Sequence, residues 1–189
     1  PSDGQYDCKL CMVKGNVYGF IRTLYTKSLE ATDYSNLEMK QLAADRRLSI
    51  RTLKDWGLAK SLTTGGWIIP GYNADGKVNN LYRYVHVRGE NRWAWYGTTG
   101  MKHGLFGLDM VDKKKSEYWV CEGLWDGMVA YEVGRQTKLK DNGEYGFTGN
   151  EDASLYADRN IIAVPSASVF DEKWATILTG KAVRLLYDN

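Results

Sequence analysis

The sequence predicts an α+β front portion followed by an α/β domain built on a mostly parallel sheet. Three observations carry that expectation. From Glu117 onward, apolar strand-like runs alternate with helix-like segments, the pattern of parallel strands joined by crossovers. Between Gly66 and Leu108, short aromatic runs are separated by turn residues, which reads as antiparallel hairpins. Ahead of them, from Asn36 to Lys60, apolar residues fall at helical spacing. The expected divisions are 1–26, 27–65 (a helical linker), 66–116 (a strand-rich basic unit) and 117–189 (the α/β unit).

The first division opens with Cys8-Lys9-Leu10-Cys11. Two cysteines at this spacing make half of a zinc ribbon, which needs four thiolate or imidazole ligands. No second such pair follows, and both histidines, His86 and His103, lie far downstream. The pair therefore reads as reduced and metal-free, with Zn2+ expected only where a complete ribbon is present. Val17-Tyr18-Gly19-Phe20-Ile21 then reads as a strand by its alternation and its β-branched and aromatic content. In the second division, Leu37, Leu42 and Ala43 mark one apolar stripe. Ser49 is placed to cap a second helix that buries Ile50, Leu53 and Trp56 and ends at Gly57. The short link gives a helix-turn-helix look, with Arg46, Arg47, Arg51 and Lys54 available to phosphates. A helical hairpin used only for packing is the favoured account of the same residues.

In the third division, Trp67-Ile68-Ile69-Pro70 and Leu81-Tyr82-Arg83-Tyr84-Val85 flank Asp75-Gly76, a hairpin signal. Arg92-Trp93-Ala94-Trp95-Tyr96 supplies another strand. Aromatics interleaved with bases suit the clamping of single-stranded nucleic acid. The default for such a strand is an inward aromatic face with the bases outside. The fourth division holds strands Tyr118–Cys121, Ile161–Val164 and Ala182–Leu186, with helices Trp125–Val133 and Asp171–Leu178 between them. Residues 135–159 are too long and polar for an ordinary connection and read as an insertion. Glu122 closes one strand and Asp188 another, a poor place for an unpaired charge. Acidic strand ends in one α/β sheet suit a hard divalent cation, which takes oxygen ligands. Asp126 falls in the first turn of the following helix, where a carboxylate is also favoured by the helix dipole.

Composition narrows the class. The chain has 189 residues, is 43% hydrophobic and carries a formal charge of +2. No apolar run is long enough to span a membrane and no signal peptide opens the chain. Three cysteines do not make a disulfide framework, so a reducing, cytoplasmic setting is expected. Of the 25 Lys/Arg, 18 precede Glu117, against 11 of the 23 Asp/Glu. A basic front suits a polyanion and an acidic back suits a metal; uneven charge on solvated faces explains the counts equally well.

Glu122-Gly123-Leu124-Trp125-Asp126 with its helix, and Tyr187-Asp188-Asn189 after an apolar strand, resemble the two halves of a TOPRIM domain. That domain occurs in DNA primases, topoisomerases and some nucleases. The order of upstream motifs resembles phage-type (bacterial-like) DNA primases and primase-helicases. These motifs are Cys8–Cys11 with the helical pair, Ile69-Pro70, Asp75-Gly76, Arg83-Tyr84 and Leu105-Phe106-Gly107. Val164-Pro165-Ser166-Ala167-Ser168 with Phe170 and Trp174 adds to the likeness. The resemblance covers almost the whole chain. In it the zinc ribbon is cut through, and the second aspartate of the TOPRIM Asp-x-Asp pair would follow Asn189. The expectation is therefore a piece of a longer replication protein truncated at both ends, consistent with a start at Pro1.

The resemblance implies Mg2+-dependent (or Mn2+-dependent) ribonucleotidyl transfer that lays short RNA primers on single-stranded DNA. It gives Glu122 and Asp126 catalytic roles and makes Glu122 and Asp188 ligands of Mg2+. Cys8 and Cys11 become half of a zinc site. Arg83, Lys102 and His103 are the candidates for nucleotide or template phosphates. The implied partners are a single-stranded DNA template, ribonucleoside triphosphates and a replicative helicase, fused or separate, with no membrane. A TOPRIM nuclease or topoisomerase is the alternative enzyme, and a single-stranded nucleic-acid-binding module without catalysis is the alternative outside enzymes.

Overall fold

The computed structural model of the protein describes residues 5–7, 14–134, 137–139, 145–147, 159–166 and 168–187. They form a mixed α+β structure with a four-stranded antiparallel sheet and a three-stranded parallel sheet. The chain begins with a short antiparallel pair, β1 (Gln5–Asp7) and β2 (Lys14–Asn16). Cys8 and Cys11 lie outside the described residues.

Helix α1 (Val17–Glu30) follows at once, which corrects the expected strand at 17–21. The Asn16 side chain caps it by accepting from the Gly19 N–H at 2.9 Å. The same residues that alternate over five positions also repeat at helical spacing once Leu24, Tyr25 and Ser28 are included. Ile21 and Ser28 are buried and Tyr18, Leu24 and Tyr25 pack partly, while Phe20 faces solvent. A short apolar run does not separate the two periods, and the longer stripe decides. A boundary at residue 26 falls inside this helix.

Helices α2 (Leu37–Arg46) and α3 (Ile50–Asp55) form the expected pair. Asn36 and Ser49 cap them, accepting from the N–H groups of Met39 and Thr52 at 2.8 and 3.1 Å. Leu37 is not part of the stripe. It is 79% exposed, and Met39 takes the core position with Leu42 and Ala43. Helix α4 (Leu124–Gly134) packs against α3. There the Glu132 carboxylate accepts from the Ser49 hydroxyl at 2.7 Å, from the Ser49 N–H at 3.1 Å and from the buried Thr52 hydroxyl.

The antiparallel sheet runs β3 (Ala59–Lys60), β4 (Trp67–Tyr72), β5 (Val78–His86) and β6 (Trp93–Gly97) in spatial order. The turn between β4 and β5 is built as expected: Asn73 Oδ1 accepts from the Asp75 and Lys77 N–H groups at 3.1 and 2.9 Å, and Gly76 takes φ 73°. One face, with Ile68 and Leu81, packs on α1. The other, with Trp67, Ile69, Tyr82 and Tyr84, enters the main core. Thus Tyr82 and Tyr84 turn inward, as the default reading of these strands has it, whereas Trp93 and Tyr96 of β6 are exposed.

In the parallel sheet, β7 (Glu117–Cys121) lies between β10 (Arg159–Ala163) and β11 (Ala182–Leu186). Helix α4 covers the face of Trp119, Cys121, Ile161 and Ala163. Helix α5 (Glu172–Leu178) covers Tyr118, Val120 and Ile162, using the buried Trp174. Leu105 and Phe106 stitch the sheets together, bridging Tyr72 and Ala163 respectively. The region read as an insertion contains a further antiparallel pair, β8 (Thr137–Leu139) and β9 (Tyr145–Phe147). Among the described residues, no helix is long and apolar enough to cross a membrane.

Candidate active site at the carboxyl ends of the parallel strands

The register aligns three strand ends: Cys121 pairs with Ala163 on one side and Leu186 on the other. Hydrogen bonding continues one step past β7. The Glu122 N–H donates to the Leu186 carbonyl at 3.2 Å, and the Val164 N–H donates to the Cys121 carbonyl at 3.0 Å. The backbone of Glu122 is therefore fixed by its neighbours, so its half-buried carboxylate leaves the sheet at a set point. The chain then turns at Gly123 into α4, whose first turn closes with the Gly127 N–H on the Gly123 carbonyl at 3.0 Å. Asp126 lies in that turn and folds back towards Gly123. A Cβ on Gly123 would stand 2.8 Å from Asp126 Oδ2. Glycine at 123 is what lets the Asp126 carboxylate come this close to the Gly123 backbone.

Electrostatics agree with that placement. Burial, and then the Asp126 carboxylate, push the Cys121 thiol up to about 12, so the free thiol stays protonated at neutral pH. Tyr187, which follows β11, has its hydroxyl raised by burial, then by Glu122 and Cys121. It thus belongs to the surroundings of Glu122, a neighbour the sequence reading did not single out. Its position directly after the strand that pairs with β7 was the available signal. Asp188 lies outside the described residues.

The basic candidates are not gathered at this turn. Arg83 is exposed on β5 opposite Ile68 and Tyr96, on the α1 side of the antiparallel sheet. It shares no face with Tyr82 and Tyr84, which point into the main core. Lys102 and His103 do come together, in a cleft of about 480 Å³ also lined by Arg22, Asp75, Asp171 and Lys173. Their backbone is pinned by side-chain amides: Asn80 Nδ2 donates to the Lys102 carbonyl and Asn79 Nδ2 to the His103 carbonyl, both at 3.0 Å. The Tyr82 hydroxyl accepts from the Gly104 N–H and lies 3.2 Å from His103 Nδ1. Glu122 and Asp126 do not line this cleft.

Arg46, read as free to meet phosphate, is instead half-buried. Its guanidinium lies 4.7 Å from the Trp125 ring centre and 5.3 Å from that of Tyr84, and it donates to the Tyr84 hydroxyl. The helical pair is thus tied into the start of α4 from a second direction.

As a metal site, the turn presents carboxylate oxygens from Glu122 and Asp126 beside a protonated thiol. The two carboxylates are the donors a hard divalent cation takes. Among the described residues, no group of three or more His, Cys, Asp or Glu side chains is assembled to hold a metal ion.

No protein-family model and no curated protein matches the chain. Solved structures do. The zinc-binding and RNA polymerase domains of the Aquifex aeolicus primase superimpose with a TM-score of 0.57 at 14% identity, covering 100% of this chain and 61% of that one. The RNA polymerase domain of the Mycobacterium tuberculosis primase DnaG gives 0.57 at 11%, covering 90% and 64%. The same domain in complex with a double-stranded DNA oligomer with a 6-nucleotide overhang gives 0.55 at 12%, covering 99% and 65%. The chain therefore spans 61–65% of the length of these structures. An antiparallel sheet and a parallel one, stitched at Leu105–Phe106 with an acidic turn at the strand ends, have the fold of the bacterial-type primase RNA polymerase domain.

Proposed function

We propose that this chain is the catalytic core of a DNA primase, its 117–189 portion a TOPRIM domain that makes short RNA primers on single-stranded DNA. One observation supports this above the rest: the Glu122-Gly123-Asp126 turn stands at the aligned carboxyl ends of a parallel sheet within a primase-type fold. Ligands and reacting groups of open α/β sheets gather at that edge.

In this reading Glu122 and Asp188 hold Mg2+, and Asp126 supports them from the first turn of α4. When bound, the cation supplies neutralisation of the charge that develops on the transferred phosphoryl group. Glu122 holds an oxygen either for that cation or for the proton leaving the attacking 3′-hydroxyl. Lys102 and His103, exposed on one cleft, bind triphosphate or template phosphates, and Arg83 meets a template phosphate from the α1 side. Asn79 and Asn80 set the Lys102–His103 backbone and so orient those side chains.

The test is incorporation of labelled ribonucleotides into short RNA on single-stranded DNA by the complete protein with Mg2+. Template-dependent products support the reading. Metal-dependent DNA degradation without nucleotides would assign the site to a nuclease instead.

A further inference from the structure

The run of aromatics and bases from Tyr82 to Tyr96 is divided by the strand pleat. Tyr82, Tyr84 and His86 of β5 and Trp93 and Trp95 of β6 share one face, while Arg83 and Tyr96 share the other. Along the first face burial falls away towards the sheet edge. Tyr84 is 3% exposed and Trp93 is 47% exposed. The Trp93 ring stacks on Tyr84 with centres 5.2 Å apart and planes at 26°, and His86 stands edge-on to it at 5.6 Å. One side of the indole is therefore covered and the other is open to solvent.

What lies beneath the open ring is fixed. Tyr84 meets Trp95 at 4.8 Å and Trp125 edge-on at 5.3 Å, and the Arg46 guanidinium lies against both Tyr84 and Trp125. Trp125 is the second residue of α4, three residues after Glu122. An unbroken series of ring contacts thus runs from the catalytic turn to an exposed indole. The surroundings favour an anion. His86 is exposed at the edge of the ring, Arg88 is exposed two residues further along the chain, and the only carboxylate between Tyr84 and Gly97, Glu90, is paired with Arg92.

We propose that Trp93 is a stacking platform for one unpaired base of the nucleic-acid strand that runs towards Glu122. The inference rests on the primase reading and names where the strand is gripped. A flat ring already immobilised on one side loses little freedom when a base covers the other, and every base has a face to offer. The grip is accordingly indifferent to sequence.

The experiment is fluorescence anisotropy of a labelled single-stranded oligonucleotide, and of an abasic strand of equal length, with wild-type protein, Trp93→Ala, Trp93→Phe and Trp93→Leu. Expected is a loss of about tenfold in affinity for Trp93→Ala, with Trp93→Phe retaining most of it. The loss disappears on the abasic strand, and the dependence on salt concentration is unchanged because no phosphate contact is removed. Should Trp93→Ala lower the thermal midpoint, Trp93→Phe against Trp93→Leu carries the comparison, since both fill the site and only one stacks. Equal affinity of Phe and Leu variants, or an equal loss on the abasic strand, overturns the platform. If the wild type binds and Trp93→Ala binds as well, the platform fails and the primase reading stands. If the wild type binds no strand at all, both fall.

Discussion

Two glycines four residues apart have different duties at the start of α4. A Cβ on Gly127 would stand 2.6 Å from the Trp56 ring and 2.9 Å from the Ala163 methyl group, both in the core. Alanine is the better helix former by about 1 kcal/mol, but overpacking a closed core costs about 1–3 kcal/mol. Gly127→Ala is therefore expected to lower the denaturation midpoint. At Gly123 the obstructing atom is the end of the Asp126 side chain, which can swing away. Gly123→Ala should leave the midpoint nearly unchanged while lowering primer synthesis, because it displaces a carboxylate from the turn. Glu117 offers a second residue-level check, through pH. Its carboxyl is held below the usual range by the Trp119 indole N–H at 2.9 Å, and then by Arg159, also at 2.9 Å. A depressed carboxylate contributes stability that is present above the ordinary carboxylate range and lost as pH falls through its folded value. Melting curves at descending pH should show Glu117→Gln with a flatter acid limb than wild type; parallel limbs would contradict this.

The elements are joined by polar clasps as much as by apolar faces. Glu132 on α4 holds the amino end of α3 through Ser49 and the buried Thr52. Glu132→Ala removes the carboxylate that accepts from the buried Thr52 hydroxyl and should cost about 1–3 kcal/mol in chemical denaturation. Glu132→Gln, which keeps an acceptor, should recover part of the loss. Legibility at this scale followed how local the determinants are. Ser49, Asp75-Gly76 and Gly57 act through their own turns, so the helical pair and the β4–β5 hairpin were readable. Val17–Ile21 was misread because helix or strand there depends on what lies under Ile21, namely Ala59, Ile68 and Leu81. The clasp at Glu132 was not readable, since its partners stand 80 and 83 residues away.

Across the whole molecule one core joins parts that the sequence suggests dividing at residue 116. Trp56 from the helical pair, Tyr82 from the antiparallel sheet and Cys121 and Ala163 from the parallel sheet belong to the same buried cluster. Trp56 also fills the space at Gly107 and Gly127, where both sheets meet α4. Trp56→Ala should cost about 3–5 kcal/mol. The antiparallel and parallel parts should lose stability together, so far-UV circular dichroism and tryptophan fluorescence keep one coincident transition; separate transitions would show two independent units. The placement of Glu122 at a strand end and of Asp126 in the first helical turn was legible because both follow from chain order. The separation of Arg83 from Lys102 and His103 was not, because the pleat of β5 sets the side of Arg83 while Asn79 and Asn80 hold the Lys102–His103 loop from more than 20 residues away. The acidic residues that follow the parallel strands carry the proposed chemistry. The direct measurement is Mg2+-dependent primer synthesis by the complete protein carrying Glu122→Gln or Asp188→Asn, alongside wild type, with single-stranded DNA binding measured in parallel. A loss of about a hundredfold or more in synthesis with binding retained is the predicted result; synthesis at the wild-type rate in both variants would contradict the assignment.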